Sequence, residues 1–447
     1  MLLSLVAANA GRADVRFHRA PKALAKDAVV EDWPSFLGRT HNAVSAETRL
    51  TRAFPPNLVW EMSKGTGYTS PAIVAGSLVY LHRIGDEEVV ECVHPETGAK
   101  RWQFKYPSAF EDRYGYNNGP RSSPVIDSGR AYTLGAEGVL HCLLLASGSV
   151  IWKKDLRTSY KVRQDFFGTA YTPLIEGNLL ILNTGAPGGP CVVALDKASG
   201  SEVWRAGKEW GPSYASPVPA VMHGRRTLFV FAGGESDPPS GGLMAIDPEN
   251  GKVHFTFPWR SRSRESVNAS CPVVFDNKVF LSASYRTGSA LIEVQPDFRP
   301  KTLWTTAEAG LHWNTAIYRN GYLYGFDGRN EPDAALVCID ATNGKVAWRT
   351  SPEWTDSIGG RPQQLGIYRG SLLAVDGQFL CLGELGHLLW MNLSPKGYQE
   401  VARTWLFAAR ESWALPVVSR GLLYVSQNGR DIVQGAGPRL LCYDLRA

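Results

Sequence analysis

The stretch VALDKASGSEVW at residues 193–204 consists of a short apolar strand, a tight turn and a second strand that ends in tryptophan. Gly200 supplies the positive φ that a tight hairpin turn requires. The same pattern returns four times, as VCIDATNGKVAW at 337–348, MAIDPENGKVHF at 244–255, ECVHPETGAKRW at 91–102 and HCLLLASGSVIW at 141–152. Recurrence at about 45–55 residues indicates a repeat protein, and each repeat is built from β-strands. The aromatic residues at the ends, predicted to pack between neighbouring repeats, are Trp102, Trp152, Trp204, Trp348 and Phe255.

A second hairpin pattern alternates with the first. It begins as TSPAIVAGSLVYL at 69–81, where proline opens a strand at a position that tolerates the missing N–H. Clear copies follow at 122–134, 171–182 and 215–221, and weaker copies at 270–281, 314–325, 364–375 and 414–425. One repeat is therefore four antiparallel strands. Eight repeats are anchored on Pro71, Pro124, Pro173, Pro217, Pro272, Ala316, Gly366 and Pro416.

The two ends of the repeat array complement each other. The eighth repeat ends at LLCYDLRA, 440–447, without a last strand, and NLVWEM at 57–62 is a surplus strand with Trp60 in the tryptophan position. Pairing the two removes the free edges of an open array. We predict an all-β fold, an eight-bladed β-propeller of four-stranded antiparallel blades over 57–447, closed by the N-terminal strand. A set of β-sandwiches does not explain this match.

Residues outside the array are predicted to be a leader or disordered N-terminus at 1–30 and an ordered arm at 31–56 that lies across one face. The apolar run MLLSLVAANA, with Ala8-Asn9-Ala10, favours export to the periplasm or secretion. No other stretch has the length and apolar character of a transmembrane segment.

Charge and cysteine content exclude several classes of site. The net charge is +5 and no block of five basic residues occurs, which argues against a nucleic-acid partner. Four of the seven cysteines, Cys92, Cys142, Cys338 and Cys442, occupy the same place in different repeats, too far apart for disulfides, and are predicted to be buried. Without a C-x-x-C pair, a zinc site of cysteines is not expected.

Binding residues are predicted in the segments that precede each proline-initiated strand, because these segments converge on one end of the central channel. Aromatic residues and arginines beside amides are typical of small-molecule and protein binding sites. The alternative is that the charged residues only tie blades together. The predicted binding residues are Tyr114, Tyr116, Asn117, Asn118, Arg121, Arg163, Asp165, Phe167, Tyr214, Glu265, Asn268, His312, Trp313, Arg361, Gln364, Arg410, Glu411 and Trp413.

Two of these positions suggest chemistry beyond binding. His312 beside Trp313 has the residue type of a general base, although a single loop histidine is more often structural. Glu265 with Asn268 offers two oxygen ligands of the kind calcium takes, which is fewer than a coordination shell needs. No nucleophile-elbow, phosphate-loop or zinc-protease motif is present. Neither a catalytic residue nor a metal site is therefore assigned.

The two hairpin patterns together resemble the pyrroloquinoline-quinone-like (PQQ-like) propeller repeat, A-x-D-x-x-T-G-x-x-x-W. The best match is Ala194-Leu195-Asp196 with Gly200 and Trp204. The resemblance covers about 57–447 and implies the propeller fold. The family includes calcium-dependent quinoprotein alcohol and glucose dehydrogenases, and also proteins that bind no quinone, such as the outer-membrane assembly lipoprotein BamB.

The resemblance leaves three functions to distinguish. In the quinoproteins the quinone lies between a tryptophan and a disulfide of adjacent cysteines, which this chain lacks, and the motifs around Glu265, Asn268 and Asp165 differ from those of the calcium ligands and catalytic aspartate. We expect a non-catalytic propeller of the cell envelope without cofactor, which binds a small molecule in the central funnel or a protein partner. The alternative is a PQQ- and calcium-dependent oxidoreductase acting on alcohols or sugars. The third possibility is a BamB-like outer-membrane assembly factor, which the position of the first cysteine, Cys92, disfavours.

Overall fold

The computed structural model describes residues 15–186, 188–330 and 333–447. The first strands within these residues are β1 (Val15–Phe17), β2 (Val44–Ser45) and β3 (Asn57–Ser63). Residues 1–14, part of the predicted leader at 1–30, lie outside the described residues, whereas Val15–Phe17 of the same segment pairs with β3.

Blades 1 to 4 are consecutive four-stranded antiparallel sheets in which each strand pairs with the next. A short helix, α1 (Leu156–Tyr160), follows blade 2, and the Asp155 side chain accepts hydrogen bonds at its N-terminus. The strands of these blades are β4 (Ala72–Val74), β5 (Ser77–Ile84), β6 (Glu87–Val93), β7 (Lys100–Pro107), β8 (Val125–Asp127), β9 (Arg130–Leu134), β10 (Val139–Leu144), β11 (Val150–Asp155), β12 (Leu174–Glu176), β13 (Leu179–Leu182), β14 (Val192–Asp196), β15 (Glu202–Ala206), β16 (Val218–Met222), β17 (Arg225–Ala232), β18 (Gly242–Ile246) and β19 (Val253–Pro258).

Blades 5 to 8 continue the pattern, with a separate two-stranded hairpin, β28–β29, between blades 6 and 7. Their strands and the hairpin are β20 (Val273–Phe275), β21 (Lys278–Ala283), β22 (Gly288–Val294), β23 (Pro300–Thr306), β24 (Ile317–Arg319), β25 (Tyr322–Asp327), β26 (Ala335–Asp340), β27 (Val346–Thr350), β28 (Glu353–Ile358), β29 (Arg361–Gly366), β30 (Ser371–Val375), β31 (Gln378–Leu382), β32 (His387–Ser394), β33 (Gly397–Trp405), β34 (Val417–Ser419), β35 (Leu422–Gln427) and β36 (Arg439–Asp444).

Blade 8 is completed by the N-terminal strand. β36 pairs antiparallel with β3, which places Trp60 opposite Cys442, and β1 adds a fifth strand outside β3. The predicted eight-bladed propeller with this closure is confirmed. All seven cysteines are buried and unpaired, as predicted for the four that recur in the repeats.

The tryptophan position joins each blade to the next. Trp204 donates its indole N–H to the Pro248 carbonyl of blade 4 over 2.9 Å, and its ring covers Gly251 so closely that a Cβ there would stand 2.6 Å from the ring. Equivalent bonds to the following blade are made by Trp60, Trp102, Trp152, Trp304 and Trp348. The predicted packing role is confirmed, and Trp304 extends it to blade 5.

Blade 7 departs from the predicted register. The inner hairpin predicted at 364–375 is wrong: Arg361–Gly366 pairs with Glu353–Ile358, and the inner strand of blade 7 is Ser371–Val375. The reason is burial, since every residue of Ser371–Val375 is buried while the first four residues of β29 are exposed. Trp390 fills the space left by Ala402, which stands in the tryptophan position.

The arm at 31–56 crosses the end of the channel where the turns between first and second strands lie. Trp33 is fully buried and exchanges backbone hydrogen bonds with Ile73 of blade 1. β2 pairs parallel with β30 of blade 7, which is separated from blade 1 by blade 8. Buried Glu47 accepts the backbone N–H of Gly421 in blade 8 over 2.7 Å. The arm therefore closes this end. Within the part of the chain that the structure describes, no helix has the length and hydropathy needed to cross a bilayer.

Candidate functional site

A cavity of about 260 Å³ opens at the other end of the channel, and we call it the funnel. Its floor is formed by Phe36, Leu37 and Ala43 of the arm. Its walls come from the loops between blades and from the loops between second and third strands. The wall residues are Tyr68, Tyr114, Tyr116, Arg121, Phe166, Phe167, Ala170, Thr172, Tyr214, Glu265, Val267, Ala269, Tyr285, His312, Trp313, Asn314, Thr315, Arg329, Asn330, Arg369, Ser371, Leu372, Trp413, Ala414 and Leu415.

The aromatic walls are packed against one another. Trp413 stacks on Tyr68 with ring centroids 5.2 Å apart and meets Tyr116 edge-on at 5.3 Å. Phe167 meets Tyr116 at 5.8 Å and Tyr214 at the same distance, and the Tyr214 hydroxyl accepts the Phe167 N–H. Tyr116 is nevertheless 40% exposed, so its ring faces the opening. Fixed aromatic rings offer contact area at low entropic cost.

Arg121 is held in a buried ion pair inside this ring of aromatics. Its guanidinium group contacts the carboxylate of Asp112, whose side chain has no exposed surface, and also donates to the Gly119 carbonyl at 3.1 Å. The same group lies 5.2 Å from the ring centres of Tyr68 and Phe167. Cation–π contacts with two rings fix a charge that is already compensated.

Two further pairs fix the wall around Trp413. The Tyr68 hydroxyl donates to the carboxylate of Glu411, and burial, followed by this bond, raises the pKa of Tyr68 well above its usual value. Arg369 binds both oxygens of buried Glu384, which also accepts the Trp413 indole N–H at 3.1 Å. The Arg369 guanidinium lies 4.8 Å from the Trp413 ring centre.

His312 is held neutral in the funnel. Burial, followed by the charges of Arg329 and Arg369, lowers its pKa to about 4. Its Nδ1 is buried and has no hydrogen-bond partner among the described residues. The His312 ring meets the Tyr285 ring edge-on, with centroids 5.6 Å apart. The Arg329 guanidinium group lies over the same Tyr285 ring, 4.5 Å from its centre. A neutral imidazole offers one donor and one acceptor.

A second cavity of about 460 Å³ lies beside the funnel, between the β28–β29 hairpin, blade 7 and blade 8. It shares Tyr116, Asn330, Arg369 and Trp413 with the funnel. Its other lining residues are Ile358, Leu365, Tyr368, Glu384, Leu385, Trp405, Ala408, Ala409, Arg410, Glu411 and Ile432. We call it the side cavity.

Most of the predicted binding residues meet at these two cavities. Those at the funnel are Tyr114, Tyr116, Arg121, Phe167, Tyr214, Glu265, His312, Trp313 and Trp413. Arg410 and Glu411 line the side cavity. Glu411 adopts φ +60°, an uncommon conformation for a residue with a side chain.

Four predicted residues serve the loops instead. The Asn117 and Asn118 side chains accept the backbone N–H groups of Gly119 and Asp112. Asn268 is buried and its amide donates to two backbone carbonyls of blade 4. Asp165 is buried outside the funnel lining and accepts the Glu235 N–H at 3.1 Å; burial raises its pKa to about 7.

Three predicted residues lie away from both cavities. Arg163 is exposed on the loop after α1. Arg361 and Gln364 lie on the exposed part of β29, and the Gln364 oxygen accepts the Thr355 hydroxyl at 3.2 Å. The prediction for Arg361 and Gln364 follows from the wrong register of blade 7, which had put residues 359–364 just before an inner strand.

Several residues that line the funnel are not among the predicted binding residues. Tyr68 stands immediately before the first proline-initiated strand, so the rule applied to the other blades predicts it as well. Tyr285 and Arg329 lie in loops between second and third strands, which reach the same end of the propeller. Glycine and polar residues mark these loops as turns, but nothing in their sequence indicates a role in binding.

The fold and the site define the class of protein. It is an eight-bladed β-propeller with an aromatic funnel at one end of the channel and an arm across the other end. A family model described as outer membrane protein assembly factor BamB matches residues 85–350. This is more than half of the chain, and the chain belongs to that family. No curated protein sequence matches it.

Solved structures of two kinds share the fold. BamB from Moraxella catarrhalis superimposes with a TM-score of 0.55 at 16% identity, over 87% of this chain and 97% of that chain. A europium-containing methanol dehydrogenase gives 0.66 at 10% identity, over 93% and 98%. Quinohemoprotein alcohol dehydrogenase from Comamonas testosteroni gives 0.62 at 12% identity, over 93% and 81%. Likeness at these identities shows the fold alone.

Proposed function

We propose that this chain is a non-catalytic, small-molecule-binding propeller of the cell envelope, and that the ligand binds in the funnel. One observation carries the proposal. The funnel has an aromatic wall and a closed floor, so it is a concave, preformed site of the kind that small ligands occupy.

The state of the charged groups supports binding without chemistry. Arg121 is paired with Asp112, Arg369 with Glu384, and Tyr68 with Glu411. These pairs hold the wall residues in place before any ligand arrives, which reduces the entropy lost on binding. Because these side chains are already bonded to one another, they are not available to act as a nucleophile or a base.

The two candidate proton-transfer residues are poorly suited to catalysis. His312 has a pKa of about 4, far from the neutral value that makes an effective general base. Asp165 has a pKa of about 7, but its carboxylate accepts a backbone N–H outside the funnel lining. Both observations favour a binding protein.

The envelope location in this proposal rests on the family and on the N-terminal sequence. The family description refers to the outer membrane, and MLLSLVAANA is a short apolar run whose Ala8-Asn9-Ala10 ending suits signal peptidase, although it lacks a positively charged start. A BamB-like role, in which a protein partner binds the loops around the funnel, is the related alternative. Fractionation of cells that produce the chain tests the location, and recovery only in the cytosol contradicts it.

A quinoprotein oxidoreductase is the second candidate, since aromatic rings with arginines suit a planar carboxylate. The donor set does not fit a quinone with calcium. The Asn268 amide donates to two backbone carbonyls, and Glu265 is exposed and accepts the Ser263 hydroxyl. Among the residues that the structure describes, no cysteine lines either cavity. Across residues 15–186, 188–330 and 333–447, no three acidic, histidine or cysteine side chains are grouped to hold a metal ion. Calorimetric titration with pyrroloquinoline quinone, with and without calcium, tests this candidate. Calcium-dependent binding would replace our proposal.

Native mass spectrometry tests the proposal without knowledge of the ligand. The chain and two variants are purified from envelope extract under mild conditions. We expect a small-molecule adduct on the native chain and on Val203→Ala, an exposed outer-strand control, and its loss in Trp413→Ala. Absence of any adduct on a folded native chain, repeated after incubation with a concentrated extract, overturns the proposed function.

A further inference from the structure

The funnel and the side cavity lie next to each other, and we call the two together the depression. Both are lined by Tyr116, Asn330, Arg369 and Trp413, so these four residues form a shared wall. The volumes are about 260 Å³ for the funnel and about 460 Å³ for the side cavity. A ligand that fills both must therefore be longer than one ring and must cross Trp413.

The formal charge along this depression is balanced. Among the described residues that line the two cavities or pair directly with a lining arginine, four arginines accompany four carboxylates. The pairs of Arg121 with Asp112 and of Arg369 with Glu384 are largely buried. A ligand with several negative charges gains little from Arg121 and Arg369, because each of these two arginines already has a counter-charge that would have to be displaced.

The hydrogen-bonding groups along the depression are both donors and acceptors. The guanidinium–carboxylate pairs place fixed N–H groups beside fixed oxygens. His312 adds an imidazole whose buried Nδ1 has no partner among the described residues. An unpaired buried nitrogen is costly unless a ligand or water satisfies it, so it marks a point where a ligand hydroxyl is expected.

We infer that the funnel and side cavity together bind a neutral oligosaccharide. A sugar ring presents C–H groups on its face and hydroxyl groups, each a donor and an acceptor, around its edge. The first feature matches the Tyr116 ring, which is 40% exposed on the shared wall and which Trp413 meets edge-on. The second matches the paired polar groups and His312. This inference rests on the proposed function and names the ligand class for the same site.

Other ligand classes fit less well. An aromatic polycarboxylate matches the flat rings but requires excess positive charge, which the balanced arginines and carboxylates do not supply. A purely hydrocarbon ligand matches the aromatic surface but leaves His312 Nδ1 without a partner. The neutral sugar satisfies both requirements.

The test uses the full chain and defined probes. An array of neutral and anionic oligosaccharides identifies candidates, and calorimetry then compares each with its monosaccharide and with benzene-1,3,5-tricarboxylate. We expect a neutral oligosaccharide to bind at least about tenfold more tightly than its monosaccharide, because the monosaccharide reaches one cavity only. Its affinity should change less than about twofold between 50 and 500 mM salt, since screening does not affect an uncharged ligand.

Variants locate the site. Trp413→Ala should weaken oligosaccharide binding at least about tenfold, while Val203→Ala, altered at an exposed outer strand, should bind as the native chain does. If Trp413→Ala fails to fold, Tyr116→Ala replaces it, because this ring is 40% exposed and bears less of the packing.

The outcomes separate the two proposals. Binding of the tricarboxylate or of anionic glycans alone overturns the sugar inference and leaves a small-molecule site in place. Equal affinity for monosaccharide and oligosaccharide overturns the extended site. A native adduct with no glycan binding also overturns the inference, whereas only the absence of any adduct overturns the proposed function.

Discussion

Replacement of Trp204 by alanine tests how the blades are held together. The ring is 7% exposed, lies against Gly251 of the next blade and donates one hydrogen bond to Pro248 at 2.9 Å. Truncation of a buried tryptophan to alanine costs about 3–5 kcal/mol, because the surrounding backbone cannot fill the cavity. Loss of the indole bond contributes about 1 kcal/mol within that range.

Urea unfolding followed by circular dichroism measures the free energy of unfolding of the Trp204→Ala variant. Trp204→Phe separates the two contributions: it keeps much of the ring contact but removes the N–H, so we expect a loss of about 1–2 kcal/mol. The neighbouring Val203→Ala, 52% exposed, should change stability by less than about 0.5 kcal/mol. If Trp204→Ala were no more destabilising than Trp204→Phe, the reasoning that the ring carries the contact between blades 3 and 4 would be refuted.

Three further predictions concern the backbone, a buried acid and the arm. Gly251→Ala should destabilise by more than Gly224→Ala in urea unfolding: both have φ above +70°, but only the Gly251 Cβ would meet a ring, and the clash adds about 1–3 kcal/mol; equal losses would contradict the contact. Asp165→Asn should become increasingly stable relative to the native chain as pH rises from 4 to 8. The reason is that Asp165 keeps its proton up to a pKa of about 7 in the folded state but loses it near 3.8 in the unfolded state. The difference in free energy of unfolding should reach on the order of 2–4 kcal/mol, and a difference that does not change with pH would contradict this prediction. Glu47→Ala should cost about 2–3 kcal/mol and expose the arm to proteolysis, whereas Glu47→Gln, which keeps one acceptor for the Gly421 N–H, should cost less.

Local sequence was sufficient for most of the fold. A hairpin that recurs with glycine in the turn and tryptophan at its end can be predicted from its own sequence. The glycine is required by the turn inside the repeat, and the tryptophan is required by the contact with the next repeat. The surplus strand with Trp60 indicated closure for the same reason. Blade 7 was misread because its copy lacks the proline and has Ala402 in the tryptophan position. Two adjacent stretches then compete for the inner strand, and only burial in the assembled sheet decides between them.

The site was predicted less completely because the direction of a side chain is set by tertiary pairing. Residues before each inner strand do gather at one end, as Arg121 and Trp413 show. Asn268 belongs to the same kind of segment but turns inward, since two buried carbonyls of blade 4 need its amide. The floor residue Phe36 comes from the arm, whose sequence has no periodicity that relates it to the channel.

The pairing of β3 with β36 also has a consequence for biosynthesis. β3 leaves the ribosome before any blade exists, and its partner follows only after the chain has been synthesised as far as residue 444. Until then the apolar face of β3, including Trp60, and the hydrogen-bonding edge of the strand have no partner from blade 8. Domains generally fold during synthesis and expose such surfaces to aggregation while incomplete. This propeller therefore depends, until residue 444 is available, on whatever shields β3 from other chains.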